Sequence, residues 1–246
     1  MSRVYKARDG ELDELVAVKT LLSRDDEDRL LREVQICRKI SHPNVVRVFD
    51  LGRFQGGIFV TMELLEGERL DGLIDPDRPL ALARARAILA EIAAGLREAH
   101  ALGVIHRNLK PSNVILTAQR VKILDFGIAR MAGVDSRLTQ TGLVVGSPMY
   151  MSPEQLQGMP LDARTDLYSL GILAYTLVAG REPFQGASSS AVALQHLQDP
   201  PPDPRRVRPD LPAAWPAFLD RLLAKRPADR YALAEDVLDA LQTLPD

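Results

Sequence analysis

An α+β fold is predicted, with strands gathered at the start of the chain and helices after them. Short alternating runs of apolar and polar residues precede Gly67, whereas beyond it apolar residues recur at three- to four-residue intervals. The 246 residues, 46% hydrophobic and 26% charged, are enough to bury a full core in one large domain or two small lobes without a metal or disulfide staple. With 31 Lys and Arg against 33 Asp and Glu the formal net charge is −2, which argues against a polyanionic partner such as nucleic acid held by bulk electrostatics. Cys37 is the single cysteine, so there is neither a disulfide framework nor a CxxC pair, and a reducing, cytoplasmic address is expected. The opening residues, MSRVYKARDGEL, lack the apolar stretch of a signal peptide. The longest apolar run, Leu167 to Val178, has 12 residues and includes Ser169 and Gly171, which predicts a buried core helix and no membrane span.

Taken in order, Arg3 to Ala7 and Leu15 to Leu22 alternate around Asp9-Gly10-Glu11 and read as a hairpin. Ser23 and Asp26 are spaced as a capping box, and Asp25, Asp26, Glu27 and Asp28 cluster where a helix dipole is positive, so a helix is expected from there through about Ile40. Val45 to Leu51 and Gly57 to Glu63 complete a small sheet. Next, Leu82, Ala85, Leu89, Ile92, Leu96 and Ala99 mark one face of a long amphipathic helix. Further helical patterns cover Thr165 to Ala179, Ala213 to Leu223 and Leu233 to Leu241. Asp199 to Arg206 and Arg208 to Pro212 read as connecting loop, because each proline removes a helical donor; a polyproline ligand is the lesser reading of Pro200 to Pro204.

The chemistry-bearing residues lie between these helices. His106-Arg107-Asn108-Leu109-Lys110-Pro111-Ser112-Asn113 is followed, 12 residues after Asn113, by Asp125-Phe126-Gly127. A DFG tripeptide is a weak signal alone, since Asp-x-Gly turns are common, but with the HRNLKPSN string upstream the combination is specific. At these residues the chain resembles the eukaryotic-like serine/threonine protein kinases, in particular their bacterial members, and the resemblance runs from Val4 to about Leu241. It implies a bilobal protein-kinase fold with a small N-lobe over residues 1–65, a mainly helical C-lobe over 66–246, and ATP with Mg²⁺ in the cleft between.

The same resemblance assigns roles one residue at a time. Val16-Ala17-Val18-Lys19 matches the strand whose lysine spans the α- and β-phosphates, and Glu33, 14 residues on, matches the helix acid that holds it. Asn113 and Asp125 match the two magnesium ligands, where hard oxygen donors are needed. Val4, Ala17 and Ile115 match apolar positions around adenine, and Met62-Glu63-Leu64-Leu65 matches the gatekeeper and the hinge whose backbone bonds the base. Lys110 matches the lysine that contacts the transferred phosphate in serine/threonine kinases, implying a Ser or Thr hydroxyl on a protein substrate. Ser152-Pro153-Glu154 matches the end of the activation segment. Within that segment Thr139 and Thr141 are candidate phosphorylation sites that Arg107 would pair, with an unmodified polar loop as the equal alternative. Asp166 matches an acid that braces the catalytic loop, and Glu154 with Arg230 a buried ion pair that belongs to the fold.

Two departures bear on activity. Asn108 stands where active members carry the aspartate that accepts the substrate proton; an amide oxygen can orient a hydroxyl but takes up no proton at neutral pH. The glycine-rich loop expected before Val4 is represented only by Met1-Ser2-Arg3, which implies weakened ATP affinity or a reading frame that begins further upstream. The expected function is a kinase-like domain that binds MgATP and transfers phosphate poorly, a pseudokinase. Two alternatives stay open: a kinase-shaped module that engages a partner kinase or another protein, and a fragment of an active kinase.

Overall fold

A computed structural model describes residues 3–21, 31, 34–54, 57–126 and 148–246. The small lobe is an antiparallel sheet of β1 (Arg3–Arg8), β2 (Leu15–Leu21), β3 (Val48–Phe54) and β4 (Gly57–Glu63), in the order β1-β2-β4-β3. The predicted hairpin is β1–β2. Its loop is closed by Asp9, whose carboxylate accepts from the backbone N–H groups of Glu11 and Leu12 at 2.9 and 3.1 Å. On β4, Ile58, Val60 and Met62 alternate into the core. β1 is the outer strand of the sheet, and Val4 on it is 63% exposed.

Two small-lobe expectations are corrected. The strand expected from Val45 starts at Val48, because the backbone just before it pairs elsewhere: Val46 N–H donates to Ile123 O and Ile123 N–H to Asn44 O, leaving Val45 a single parallel bridge. The helix expected to reach Ile40 stops at Cys37. Lys39 and Ile40 donate to the carbonyls three residues back, at Ile36 and Cys37, which tightens and ends the turn. The earlier part of that expected helix, with Glu33, lies outside the described residues.

The large lobe carries α1 (Leu82–Ala101), α2 (Pro153–Leu156), α3 (Arg164–Ala179), α4 (Ser189–Gln198), α5 (Ala214–Leu222) and α6 (Ala234–Thr243). Buried along its length from Thr165 to Ala179, α3 is the axis on which α1 and α5 pack. Gly171 permits that approach, since a Cβ there would lie 2.7 Å from the Cβ of Leu222. The helix ends at Gly180, whose φ of 73° is the left-handed cap that glycine adopts without strain. A second antiparallel sheet, β5 (Gly67–Arg69), β6 (Val114–Thr117) and β7 (Val121–Ile123), lines the top of this lobe. Neither that sheet nor α4 is predicted above. The stretch read as loop after Asp199 contains one 3-10 turn, Pro204–Arg206, and is tied down by Arg208 Nη1, which donates to Leu80 O and Val178 O at 2.8 and 3.2 Å. Among the described residues no helix is long and apolar enough to cross a membrane.

Candidate active site

The segment between α1 and β6 forms the floor of the cleft, and its backbone is held by side chains from two other elements. Arg107 has φ +65°, a left-handed conformation that non-glycine residues adopt only where their surroundings impose it. Asp166, fully buried on α3, supplies part of that constraint. Its Oδ1 accepts from Arg107 N–H at 2.8 Å, while its Oδ2 accepts from His106 N–H at 2.7 Å and from His100 Nε2 at 2.8 Å. From α2, Gln155 Nε2 donates to Arg107 O at 2.7 Å.

His106 links this floor to the residues around Asp125. Burial lowers its pKa, so the ring is neutral, and its partners fix the tautomer: Nε2–H donates to Leu124 O at 2.7 Å and Nδ1 accepts from Asn108 N–H at 3.2 Å. The ring also meets Phe126 edge-on, with centroids 4.7 Å apart. Asn113 Nδ2 donates to Asn108 O at 2.8 Å, which leaves its Oδ1 as the acceptor of the amide, and its carbonyl accepts from Leu124 N–H at 2.9 Å. Asn108, Asn113 and Asp125 are thus brought together by hydrogen bonds between neighbouring segments, and Lys110 contributes its carbonyl to Asn113 N–H.

From above, Lys19 on β2 reaches Asp125: Nζ lies 2.6 Å from Oδ1, with the lysine 6% exposed. Asp125 itself has φ +59°. Strand register places Val4, Ala17, Lys19, Val60 and Met62 on one face of the small sheet, which groups five residues that are scattered in sequence. Ile115 lies on β6 opposite Lys122, on the half-buried face of the second sheet. The Glu63 side chain is engaged there, accepting from Lys122 Nζ at 2.7 Å and from Arg47 N–H at 3.2 Å, which ties the end of β4 to β7 and to the residue before β3. Leu64 and Leu65 follow it, half-buried against the core. Glu33, Gly127, Thr139 and Thr141 lie outside the described residues, and with them the expected pairing of Arg107 to a phosphothreonine.

Among the described residues no three His, Cys, Asp or Glu side chains gather into a metal cluster. Asn113 Oδ1 and the Asp125 carboxylate are hard oxygen donors, and two protein ligands suit Mg²⁺ when phosphate oxygens and water complete its octahedron. The residues present fit that ion.

Below the site, Ser152 opens α2 with a capping box: Gln155 N–H donates to Ser152 Oγ, and Ser152 N–H donates back to Gln155 Oε1 at 3.0 Å. Glu154 is clamped by Arg230, whose Nη1 and Nη2 lie 2.7 and 2.8 Å from its two oxygens, and by the Thr165 hydroxyl at 2.9 Å. Burial pushes the Glu154 carboxyl up, but the guanidinium's hydrogen bonds and charge outweigh it, and the group sits below its usual range. The contact of Gln155 with Arg107 and the Glu63–Lys122 bridge are contacts beside the site that the sequence reading missed.

Comparison with known proteins gives one consistent result. The protein kinase domain family matches residues 1–241. The chain is 38% identical over 260 residues to the serine/threonine-protein kinase pkn3 of Myxococcus xanthus, covering 99% of this chain and 48% of that protein. It is 39% identical over 248 residues to PknB of Mycolicibacterium smegmatis, covering 96% of this chain and 40% of that one. To PknH of Mycobacterium tuberculosis it is 38% identical over 253 residues, covering 100% of this chain and 40% of that protein. The chain therefore spans less than half the length of these relatives.

Proposed function

The chain belongs to the protein kinase family, and from that premise we propose that it is a serine/threonine kinase-like domain that binds MgATP between its lobes and transfers phosphate poorly. We place the lobe boundary at residues 65 and 66, and the lone buried Cys37 suits a reducing, cytoplasmic setting. When bound, MgATP supplies the phosphoryl group, with the metal neutralising phosphate charge. Lys19 provides the cation for the phosphates, and Asn113 and Asp125 the oxygens for the metal. Val4, Ala17, Met62 and Ile115 provide the apolar walls for the base, with Glu63 and Leu65 offering hinge backbone. Lys110 offers a second cation near the acceptor hydroxyl of a protein Ser or Thr.

Asn108 is the observation that carries the reading of weak transfer. Its backbone is held on both sides, through His106 Nδ1 and Asn113 Nδ2, which supports the reading that the side chain at this position meets an acceptor hydroxyl. Its amide oxygen accepts that hydrogen bond and goes no further, since no proton can be taken up. Losing a general base costs roughly 10²- to 10⁴-fold in rate, and the loose transition state of phosphoryl transfer favours the lower end.

Nucleotide binding is tested by thermal unfolding with and without MgATP. A rise in melting temperature that needs both magnesium and Lys19 is expected, and Lys19→Met should abolish it while leaving the nucleotide-free melting point within a few degrees, because the Asp125 carboxylate left behind is partly exposed. An equal shift in Lys19→Met would remove the assignment of Lys19.

A further inference from the structure

The side chain of Gln155 stands between two backbone segments far apart in sequence, and its two ends do different jobs. Oε1 accepts from Ser152 N–H at 3.0 Å and Ser152 Oγ at 3.2 Å, while Nε2 donates to Arg107 O at 2.7 Å. The orientation of this amide is not ambiguous. A backbone N–H can only donate and a backbone carbonyl can only accept, so the oxygen must face Ser152 and the nitrogen Arg107. No other side chain of this length offers both a donor and an acceptor: glutamate keeps the Ser152 contacts and loses the bond to Arg107, and methionine loses both.

The carbonyl it grips belongs to the peptide plane that leads into Asn108. Arg107 is left-handed at φ +65°, and its N–H is already held by Asp166 from α3. The other end of that plane is the Asn108 N–H, which donates to His106 Nδ1 at 3.2 Å, so with its carbonyl gripped by Gln155 and the preceding peptide held by Asp166 the plane is fixed at both ends, and the direction in which residue 108 leaves the backbone is set. The platform behind Gln155 is itself anchored. Ser169 Oγ on α3 donates to Tyr150 O at 2.7 Å, and the adjoining Glu154 is clamped by Arg230 and Thr165. A contact spanning 48 residues therefore joins the segment ending in Ser152-Pro153-Glu154 to the floor of the cleft.

We infer that Gln155 is a positioning residue that sets the orientation of the side chain at position 108 and couples it to the segment preceding α2. This inference rests on the reading of residue 108 given above. The deciding experiment measures amide hydrogen exchange across residues 104–110 in the unaltered chain, in Gln155→Glu and in Gln155→Met. In Gln155→Glu the capping box survives, so the melting point and exchange within α3 should stay near those of the unaltered chain. Exchange at residues 107 and 108 should accelerate by roughly tenfold, the effect of releasing one well-made, partly buried hydrogen bond. Unchanged exchange there, or an equal acceleration throughout the lobe, would overturn the inference.

Phosphate transfer supplies the second readout, in Asn108→Asp with and without Gln155→Glu. A positioning role predicts a kcat lower by roughly tenfold with KM for ATP unchanged; equal kcat values would count against it. Because exchange needs no catalysis, an inactive Asn108→Asp protein would refute the reading of residue 108 while the exchange data still decide the role of Gln155.

Discussion

In the large lobe, the backbone around Asn108 is held by Asp166 from one helix and Gln155 from another, with His106 and Asn113 tying it to the strand that leads to Asp125. In the small lobe, Lys19 meets Asp125 across the cleft at 2.6 Å, while the β1 strand that shares its sheet face is exposed from Arg3 to Lys6. The floor is built of contacts internal to one lobe. The roof reaches the site through a contact that crosses between lobes. The difference separates two classes of residue: those whose loss costs the fold, and those whose loss costs binding alone.

The largest effect should follow from breaking the floor's foundation. Arg230→Met strands the Glu154 carboxylate in a nearly dry site, and about 3–5 kcal/mol of stability should be lost in denaturant unfolding. A loss below about 1 kcal/mol would mean the pair does not underpin the lobe.

A smaller effect tests the same foundation by pH. His196 is buried on α4, in contact with the Tyr168 hydroxyl at 2.9 Å, and burial followed by the charge of Lys225 pushes its pKa down to about 4 from 6.5. With the folded pKa below the unfolded one, the neutral ring stabilises the fold fully above pH 6.5, and that contribution drains away as pH falls towards 4. The amount at stake is on the order of 3 kcal/mol. Stability measured from pH 7 to pH 4 should fall about one proton more steeply in the unaltered chain than in His196→Gln, and parallel curves would refute the assignment. The roof should respond least in stability, since Lys19→Met removes one ion pair whose aspartate is partly exposed, yet most in nucleotide response.

How much of this could be read beforehand follows the same division. Lys19, Asn108, Asn113 and Asp125 stand in local strings whose spacing identifies them, and the long helices α1 and α3 announce themselves by periodicity or by an unbroken apolar run. Strands β5 and β7, with three residues each, are too short to display alternation. Helix α4 begins at a run of serines and buries only Val192, Ala193 and His196, so its apolar face is too sparse to register. The capping box of Ser152 and Gln155 is a local pattern, but the contact from Gln155 to Arg107 left no local trace, because its partner lies 48 residues away and the left-handed Arg107 it steadies is not a glycine. Tertiary contacts between backbone carbonyls and side-chain amides carry no sequence period.

We propose that Asn108 is what holds back the phosphoryl-transfer step at this site. Radiolabelled phosphate transfer from MgATP, measured on the unaltered chain and on Asn108→Asp side by side, tests it most directly. Incorporation at least roughly 10²-fold higher in the aspartate variant is the predicted result, the gain expected on restoring a general base. Equal transfer by the two proteins would contradict it.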